Sequence, residues 1–159
     1  MYLIDTNVLI EARDRYYSFE MVPGFWSWME EQHESGELFT VINVRDELVG
    51  RKDDLETWIR DLPKTFFLQP DNETFLNMAR LSEWSEHHPN FTSFAIQEFL
   101  DSADYVLAAH ACAHGFTVIS QEVSAPNSKA RIKLPDACIE LGVECLQTFD
   151  WLRRCKPRF

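Results

Sequence analysis

Three acidic residues stand where an apolar run gives way to polar chain, or where a helix begins, and they carry most of the chemistry this sequence offers. Asp5 and Asn7 interrupt the opening M-Y-L-I-D-T-N-V-L-I, which is otherwise apolar on both sides of them. Asp104 lies at the start of a helix-forming segment, A-D-Y-V-L-A-A-H-A-C-A-H, that ends at Gly115. Glu122 closes T-V-I-S-Q-E, where Ser120-Gln121-Glu122 follows a buried-strand pattern. Carboxylates brought to one place repel one another unless a cation neutralises them. Oxygen donors without His or Cys suit Mg²⁺ or Mn²⁺. Such a site activates a water and stabilises the charge that develops on a phosphodiester.

The elements around these acids decide whether they can meet. Tyr2 to Asp5 reads as a short buried strand, and Val8 to Arg13 as the start of a helix. Pro23-Gly24 marks a break before an amphipathic helix carrying Phe25, Trp28, Met29 and Gln32 as far as Gly36. Leu38 to Ile42 alternates weakly, as a strand or an extended connection, after which Asn43 caps a helix containing Val44, Glu47 and Leu48. Helices are expected over Asp54 to Leu62, Asp71 to Glu86 and Thr92 to Leu100, with an extended Thr65 to Leu68 and a loop from His87 to Asn90. Ser102 is a good N-cap for the helix Ala103 to His114, and Gly115 fits the left-handed position that ends it. Phe116 to Ile119 forms a buried strand, followed by a polar, basic loop from Gln121 to Lys133. A short helix after Pro135, a strand at Val143 to Leu146 and a final helix from Thr148 complete the chain.

Short strands separated by helices imply a parallel α/β sheet. In such sheets ligands bind beyond the carboxyl ends of the strands. Asp5 holds that position on the first strand and Ser120-Gln121-Glu122 on the strand from Phe116, while Asp104 opens the helix that feeds the latter. The three acids are therefore expected to converge on one edge.

Composition is consistent with this scheme. A chain of 159 residues, 45% hydrophobic and 13% aromatic, fits one domain spanning residues 1–159. No apolar run approaches the roughly 18 residues of a membrane span, and no basic region with a cleavage site opens the chain. A soluble, cytoplasmic protein is expected, with no membrane partner. Its four cysteines, Cys112, Cys138, Cys145 and Cys155, form no C-x-x-C pair and read as reduced, mostly buried thiols. Residues 1–128 carry 8 Lys/Arg against 22 Asp/Glu, whereas residues 129–159 carry 7 against 4. A net charge of −11 argues against passive tracking of a nucleic-acid backbone, which needs Lys and Arg. It leaves open an enzyme that meets phosphate through a metal ion, and it would attract a basic partner.

Taken together, Y-L-I-D-T-N-V-L-I, R-D-E-L at residues 45–48, A-D-Y-V-L-A-A-H-A-C-A-H-G and T-V-I-S-Q-E resemble the PIN-domain ribonucleases, most closely the bacterial VapC-like branch. The middle F-W-S-W-M-E-E-Q and the late L-P-D-A-C-I-E-L-G-V-E-C look like a less characterised subgroup. The resemblance implies a three-layer α/β/α fold with a mainly parallel sheet, an acidic Mg²⁺ or Mn²⁺ site and endonucleolytic cleavage of RNA. It places the family's acids on Asp5, Glu47 and Asp104, and its opening Asn on Asn7, which would orient Asp5 or a metal-bound water. Asp46 competes with Glu47 but is better placed to complete a helix cap beside Asn43. Asp101 is the near competitor of Asp104. The fourth acid falls on Glu122, where the family has an Asp; the longer side chain is a departure, and Asp136 is its substitute if the loop folds back. Ser120 would support the site. A VapC-like toxin would further imply a homodimer and a small antitoxin whose basic segment blocks the acidic cleft.

Each of these residues has a plainer reading. Asp5 can merely cap the helix after it, Glu47 can be an exposed helical charge, and Asp104 can meet the helix dipole whatever its function. Glu122 can be a solvated loop acid. Lys129, Arg131 and Lys133 alternate along the polar loop, where they either position RNA phosphates or are simply solvated. His110 and His114 are one helical turn apart, a spacing that can bind zinc, but A-C-A between them lacks the glutamate of a zinc protease. Trp26, Trp28, Trp58, Trp84 and Trp151 sit at helical spacing among apolar neighbours and read as core anchors rather than base-stacking platforms.

Two alternatives to a nuclease remain open at this level. One is a non-catalytic binding module on the same fold. The other is an aspartyl-nucleophile phosphohydrolase, which needs a second acid where Asn7 stands.

Overall fold

The computed structural model describes residues 1–159. Five parallel strands lie in the order β3-β2-β1-β4-β5, with β1 (Tyr2–Ile4) central, β2 (Leu38–Val41) and β3 (Phe67–Leu68) on one side, and β4 (Thr117–Ser120) and β5 (Cys145–Gln147) on the other. The register sets Tyr2 opposite Leu38 and Thr117, and Ile4 opposite Ile119. Consecutive β1 residues point to opposite faces, yet Leu3 and Ile4 are both fully buried. Both faces of the sheet are therefore covered, as a parallel sheet requires.

The covering helices follow the strands in sequence. They are α1 (Thr6–Glu11), α2 (Pro23–Glu34), α3 (Ile42–Leu48), α4 (Asp54–Asp61), α5 (Asn72–His87), α6 (Ser93–Leu100), α7 (Ala103–His114), α8 (Leu134–Leu141) and α9 (Thr148–Cys155). Together with the sheet they make the three-layer α/β/α arrangement expected from the sequence. No helix is long and apolar enough to cross a membrane.

Several local expectations are corrected. The break before the second helix lies at residues 17–22, and Pro23-Gly24 itself opens α2, because a proline at the first helical positions forfeits only an N–H that has no partner there anyway. Helix α3 starts at Ile42 directly after β2 and has no side-chain cap, so neither Asn43 nor Asp46 caps it. The first helix continues beyond Glu11 as a π-helical turn, Ala12–Tyr16. Residues 64–66 form a 3₁₀ turn, which shortens the third strand to Phe67–Leu68. Of the four free cysteines only Cys138 is buried; the other three are half-exposed.

The core is one cluster of 36 buried residues. Trp26, Trp28, Trp58 and Trp151 belong to it, which supports the reading of these side chains as anchors. Phe19 stacks on Trp26 with ring centroids 3.9 Å apart, Trp58 meets Trp26 edge-on at 4.8 Å, and Trp28 meets Trp151 at 4.9 Å. Trp84 is half-buried and packs against Phe91 and His88 instead.

Gly115 ends α7 at φ +72°, and a Cβ there would meet nothing within 4 Å. Gly115→Ala should therefore cost about 1 kcal/mol through backbone strain alone. Leu3→Ala, in the centre of the sheet, should cost about 3 kcal/mol from lost burial and the cavity left behind. Urea unfolding of the two variants should rank them in that order.

Candidate active site

The strand order turns on β1: the chain passes from β1 outward to β2 and β3, then returns to β4 on the opposite side of β1. The carboxyl ends of β1 and β4 thus flank the switch point where α/β sheets bind ligands. Asp5 is the residue after β1, and its N–H donates to Ile119 O of β4 at 3.0 Å. Ser120 is the last residue of β4.

Asp5 is 1% exposed, and its Oδ2 accepts a hydrogen bond from the fully buried Ser120 Oγ at 2.9 Å. It stands in the N-cap position of α1, but its side chain makes no capping hydrogen bond. The Asn7 main-chain N–H lowers the pKa of the carboxylate. The Asn7 side-chain amide, expected to orient Asp5 or a metal-bound water, makes no hydrogen bond to Asp5, whose side-chain partner is Ser120.

Glu47 joins three helices. One carboxylate oxygen accepts from Thr6 Oγ1 of α1 at 2.6 Å, and the other from the Ala103 N–H at the start of α7 at 2.9 Å. Ser102, expected to cap α7, instead turns its hydroxyl back to Phe99 O at 2.7 Å. Glu47 therefore supplies, across space, the acceptor that the first turn of α7 lacks locally. Glu47 is solvent-exposed, as its plainer reading has it, but these bonds tie it to two other helices. Asp46 is exposed and takes no part in this network.

Asp104 sits one residue beyond that junction, half-buried. Burial pushes its carboxyl up to about 8, the negative charges of Asp5, Glu122 and Glu47 push the same way, and the Arg131 charge opposes them without cancelling the shift. Asp5 is pushed up to about 7, again chiefly by burial, with the Ser120 hydroxyl opposing the shift and Glu122 and Glu47 adding to it. Asp5, Glu47, Asp104 and Glu122 are thus brought close enough to act on one another. The alternates are not. Asp101 is exposed and accepts from Gln97 Nε2, while Asp136 is held by the Ser124 hydroxyl and the Ala125 N–H, pinning the loop before α8.

Glu122 differs from the other three acids. It is 8% exposed, so it is not a solvated loop acid. Its Oε2 accepts from the Leu134 N–H at 2.8 Å at the start of α8, and its Oε1 pairs with Arg131 at 3.1 Å and Lys133 at 3.5 Å. Two of the three basic loop residues therefore face this acid. Lys129 is exposed and has no carboxylate partner. The Glu122 N–H also donates to Ser120 Oγ at 3.1 Å, so one hydroxyl links the ends of β1 and β4. A cleft lined by Phe99, Ser102, Asp104, Arg131 and Ile132 opens beside Asp104.

The sequence reading missed Thr6, which holds Glu47, although it lies inside D-T-N. It also missed Asp71, whose carboxylate gathers with His110 and His114. No local pattern marks Asp71, because it belongs to a different helix.

Asp5, Glu47 and Asp104 offer only oxygen, the donor type that a hard divalent cation takes, but as they stand their carboxylate oxygens do not all lie within 4.8 Å of one another. Arg131, ion-paired with Glu122, also acts on Asp104, against the stronger effects that raise its pKa. With no further counter-charge, burial and mutual repulsion favour the protonated carboxyls. The folded pKa values of Asp5 and Asp104 lie above the unfolded value near 4, so the folded state binds more protons between these limits. Their stabilising contribution is complete below about pH 4 and is lost as pH rises towards 8. In EDTA, the denaturant midpoint attributable to these groups should therefore fall from pH 5 to pH 8, and Asp104→Asn should flatten the fall. Mn²⁺ added at pH 8 should restore the midpoint of the wild type. An equal slope in wild type and Asp104→Asn would contradict this electrostatic assignment.

Comparison with known proteins adds the fold and a family. Two solved structures are similar over most of their length: FitAB bound to an IR36 DNA fragment (17% identity, TM-score 0.54, covering 92% of this chain and 94% of that one) and FitAcB from Neisseria gonorrhoeae (18%, 0.53, 92% and 96%). At such identities the likeness shows the fold alone, and that fold is the PIN-like α/β/α architecture expected from the sequence. No curated protein matches the chain. Residues 2–159 match the model of a family described as a domain of unknown function, DUF4411, and the chain belongs to that family.

Proposed function

We propose that this protein is a metal-dependent endoribonuclease of the PIN type, acting as the toxin of a toxin–antitoxin pair. The observation that carries this reading is the gathering of Asp5, Glu47 and Asp104 at the switch point, with two of the three carboxyls raised by burial and mutual repulsion. Like charges gathered with only partial compensation favour a cation among them. Mg²⁺ or Mn²⁺ suits the donors, and when bound supplies an activated water and neutralises charge on a phosphodiester.

The chain's own residues prepare this chemistry. Ser120 fixes one oxygen of Asp5 and leaves the other free to ligate. Thr6 and the Ala103 N–H orient Glu47, so its carboxylate arrives with α7 already in register. Asp104, with no hydrogen-bond donor of its own, is the most open of the three to a ligand. Glu122 acts from behind them: it fixes Arg131 and Lys133 at the mouth of the cleft, where those cations can turn to an RNA phosphate. Lys129 extends the same basic edge.

A basic partner fits the charge of this protein, which is −11 overall. FitAB, similar in fold, is described on DNA. A chain this acidic is poorly suited to hold DNA directly, so such a contact would fall to an antitoxin with a basic segment.

RNA cleavage in the presence of Mn²⁺ tests this reading. The wild type should cut RNA, while Asp5→Asn and Asp104→Asn should each lose at least about a hundredfold in rate, the scale of losing a group that stabilises the transition state. Glu47→Gln keeps its hydrogen bonds partly intact and should lose less. If the wild type neither cleaves varied RNAs nor binds Mn²⁺, the protein is instead a non-catalytic module on this fold, a reading that the ion-paired state of Glu122 favours.

A further inference from the structure

A second cluster of metal-ligating side chains lies at the opposite end of α7 from the acidic centre. His110 and His114 are one helical turn apart, and the Asp71 carboxylate reaches them from the N-terminus of α5. One donor atom from each lies within 4.8 Å of the others. His114 Nε2 is 2.8 Å from Asp71 Oδ2, and the two imidazole rings have centroids 4.6 Å apart. Along a helix rising about 1.5 Å per residue, these histidines are about 9 and 15 Å from Asp104, so the two centres are separate.

We propose that Asp71, His110 and His114 form a binding site for a divalent transition-metal ion of the zinc class. The hydrogen bonds around Thr74 set the tautomer that such a site needs. Thr74 Oγ1 lies 2.9 Å from Asp71 Oδ1 and 2.8 Å from His110 Nδ1. The Asp71 carboxylate accepts, so the Thr74 hydroxyl hydrogen goes to it. The Thr74 oxygen can then only accept from His110, which makes Nδ1 the protonated nitrogen. Nε2 is left with its lone pair and with no hydrogen bond in the chain. A histidine that donates one ring N–H to an oxygen and presents the other nitrogen bare is oriented as metal-ligating histidines are.

Other features point the same way. His110 is 4% exposed, so its ring is held within the fold rather than free to turn in solvent. Asp71 and His114 are half-exposed and give an ion a path from solvent. Zinc holds nitrogen and oxygen donors at about 2.0–2.1 Å, so it needs them about 3–3.5 Å apart, and the donors here already lie within 4.8 Å of one another. Two imidazoles select such an ion over Mg²⁺. Cys112, between the histidines in sequence, faces away towards Leu141 O and Arg80 and is not a ligand. Three protein ligands leave a fourth position for water. Bound there, the ion would clamp the start of α5 to the end of α7.

Zn²⁺ titration of the EDTA-treated full chain tests the site, using Asp104→Asn as the background so that the acidic centre contributes little. One equivalent of Zn²⁺ should bind and raise Tm. His114→Gln and Asp71→Asn should each weaken binding at least tenfold and abolish the Tm increase; the second retains a capping residue at the start of α5. Co²⁺ in place of Zn²⁺ should give a spectrum without thiolate-to-cobalt charge transfer. Equal Zn²⁺ affinity with and without these substitutions, a thiolate signature, or no binding would overturn the proposal. Neither the Asp104→Asn background nor the readouts depend on RNA cleavage, so failure here leaves the nuclease reading untouched, and the reverse also holds.

Discussion

The structure depends on a cost: it places carboxylates of like charge together at the carboxyl edge of its central strand. Asp5 is almost wholly buried, Asp104 is half-buried, and Glu47 and Glu122 act on both. Groups in that situation either hold protons or hold a cation. The cations of the chain itself relieve the crowding only in part: Arg131 and Lys133 pair with Glu122, and Arg131 opposes the rise at Asp104 without cancelling it. Asp5 and Asp104 are left favouring their protonated forms.

The scaffold supports that arrangement through a few contacts between distant segments. Ser120 Oγ bonds Asp5 and the Glu122 N–H, and so ties the two strands that flank the switch point. Glu47 bonds Thr6 and the Ala103 N–H, and so ties α1 and α3 to the first turn of α7. Helix α7 is the common member of both clusters: its first turn brings Asp104 to the acids, and its last two turns carry His110 and His114 to Asp71. The donor chemistry differs between the ends, all oxygen at one and mainly imidazole at the other, so the two would select different ions.

Much of this was legible in the sequence, and the limits have physical causes. The strands around Leu3 and Val118 are short apolar runs, the ends of α7 carry their own signals, and Asp5 was conspicuous because it breaks an apolar run. Position along the chain also told which acids could reach the carboxyl edge, since that edge is fixed by strand direction. What was not legible involves contacts across space. Ser102 looked like a cap by its type, but Glu47 from another helix took that role. The loop cations looked like a free basic edge, but a buried Glu122 is more demanding than solvent and attracts them. Asp71 read as a helix start, which it is, and nothing nearby in sequence announces that its second oxygen meets His114. Element boundaries slipped where a helix begins without a cap of its own, as in α3.

The central claim is that the crowded acids at the C-terminal end of β1 and the start of α7 receive a divalent ion. Crystals soaked in Mn²⁺ and measured for anomalous scattering test it most directly. The account predicts a manganese peak ligated by Asp5 and Asp104, with Glu47 on its border. An empty position between those carboxylates at saturating Mn²⁺, or an Arg131 or Lys133 side chain found there in its place, would contradict it.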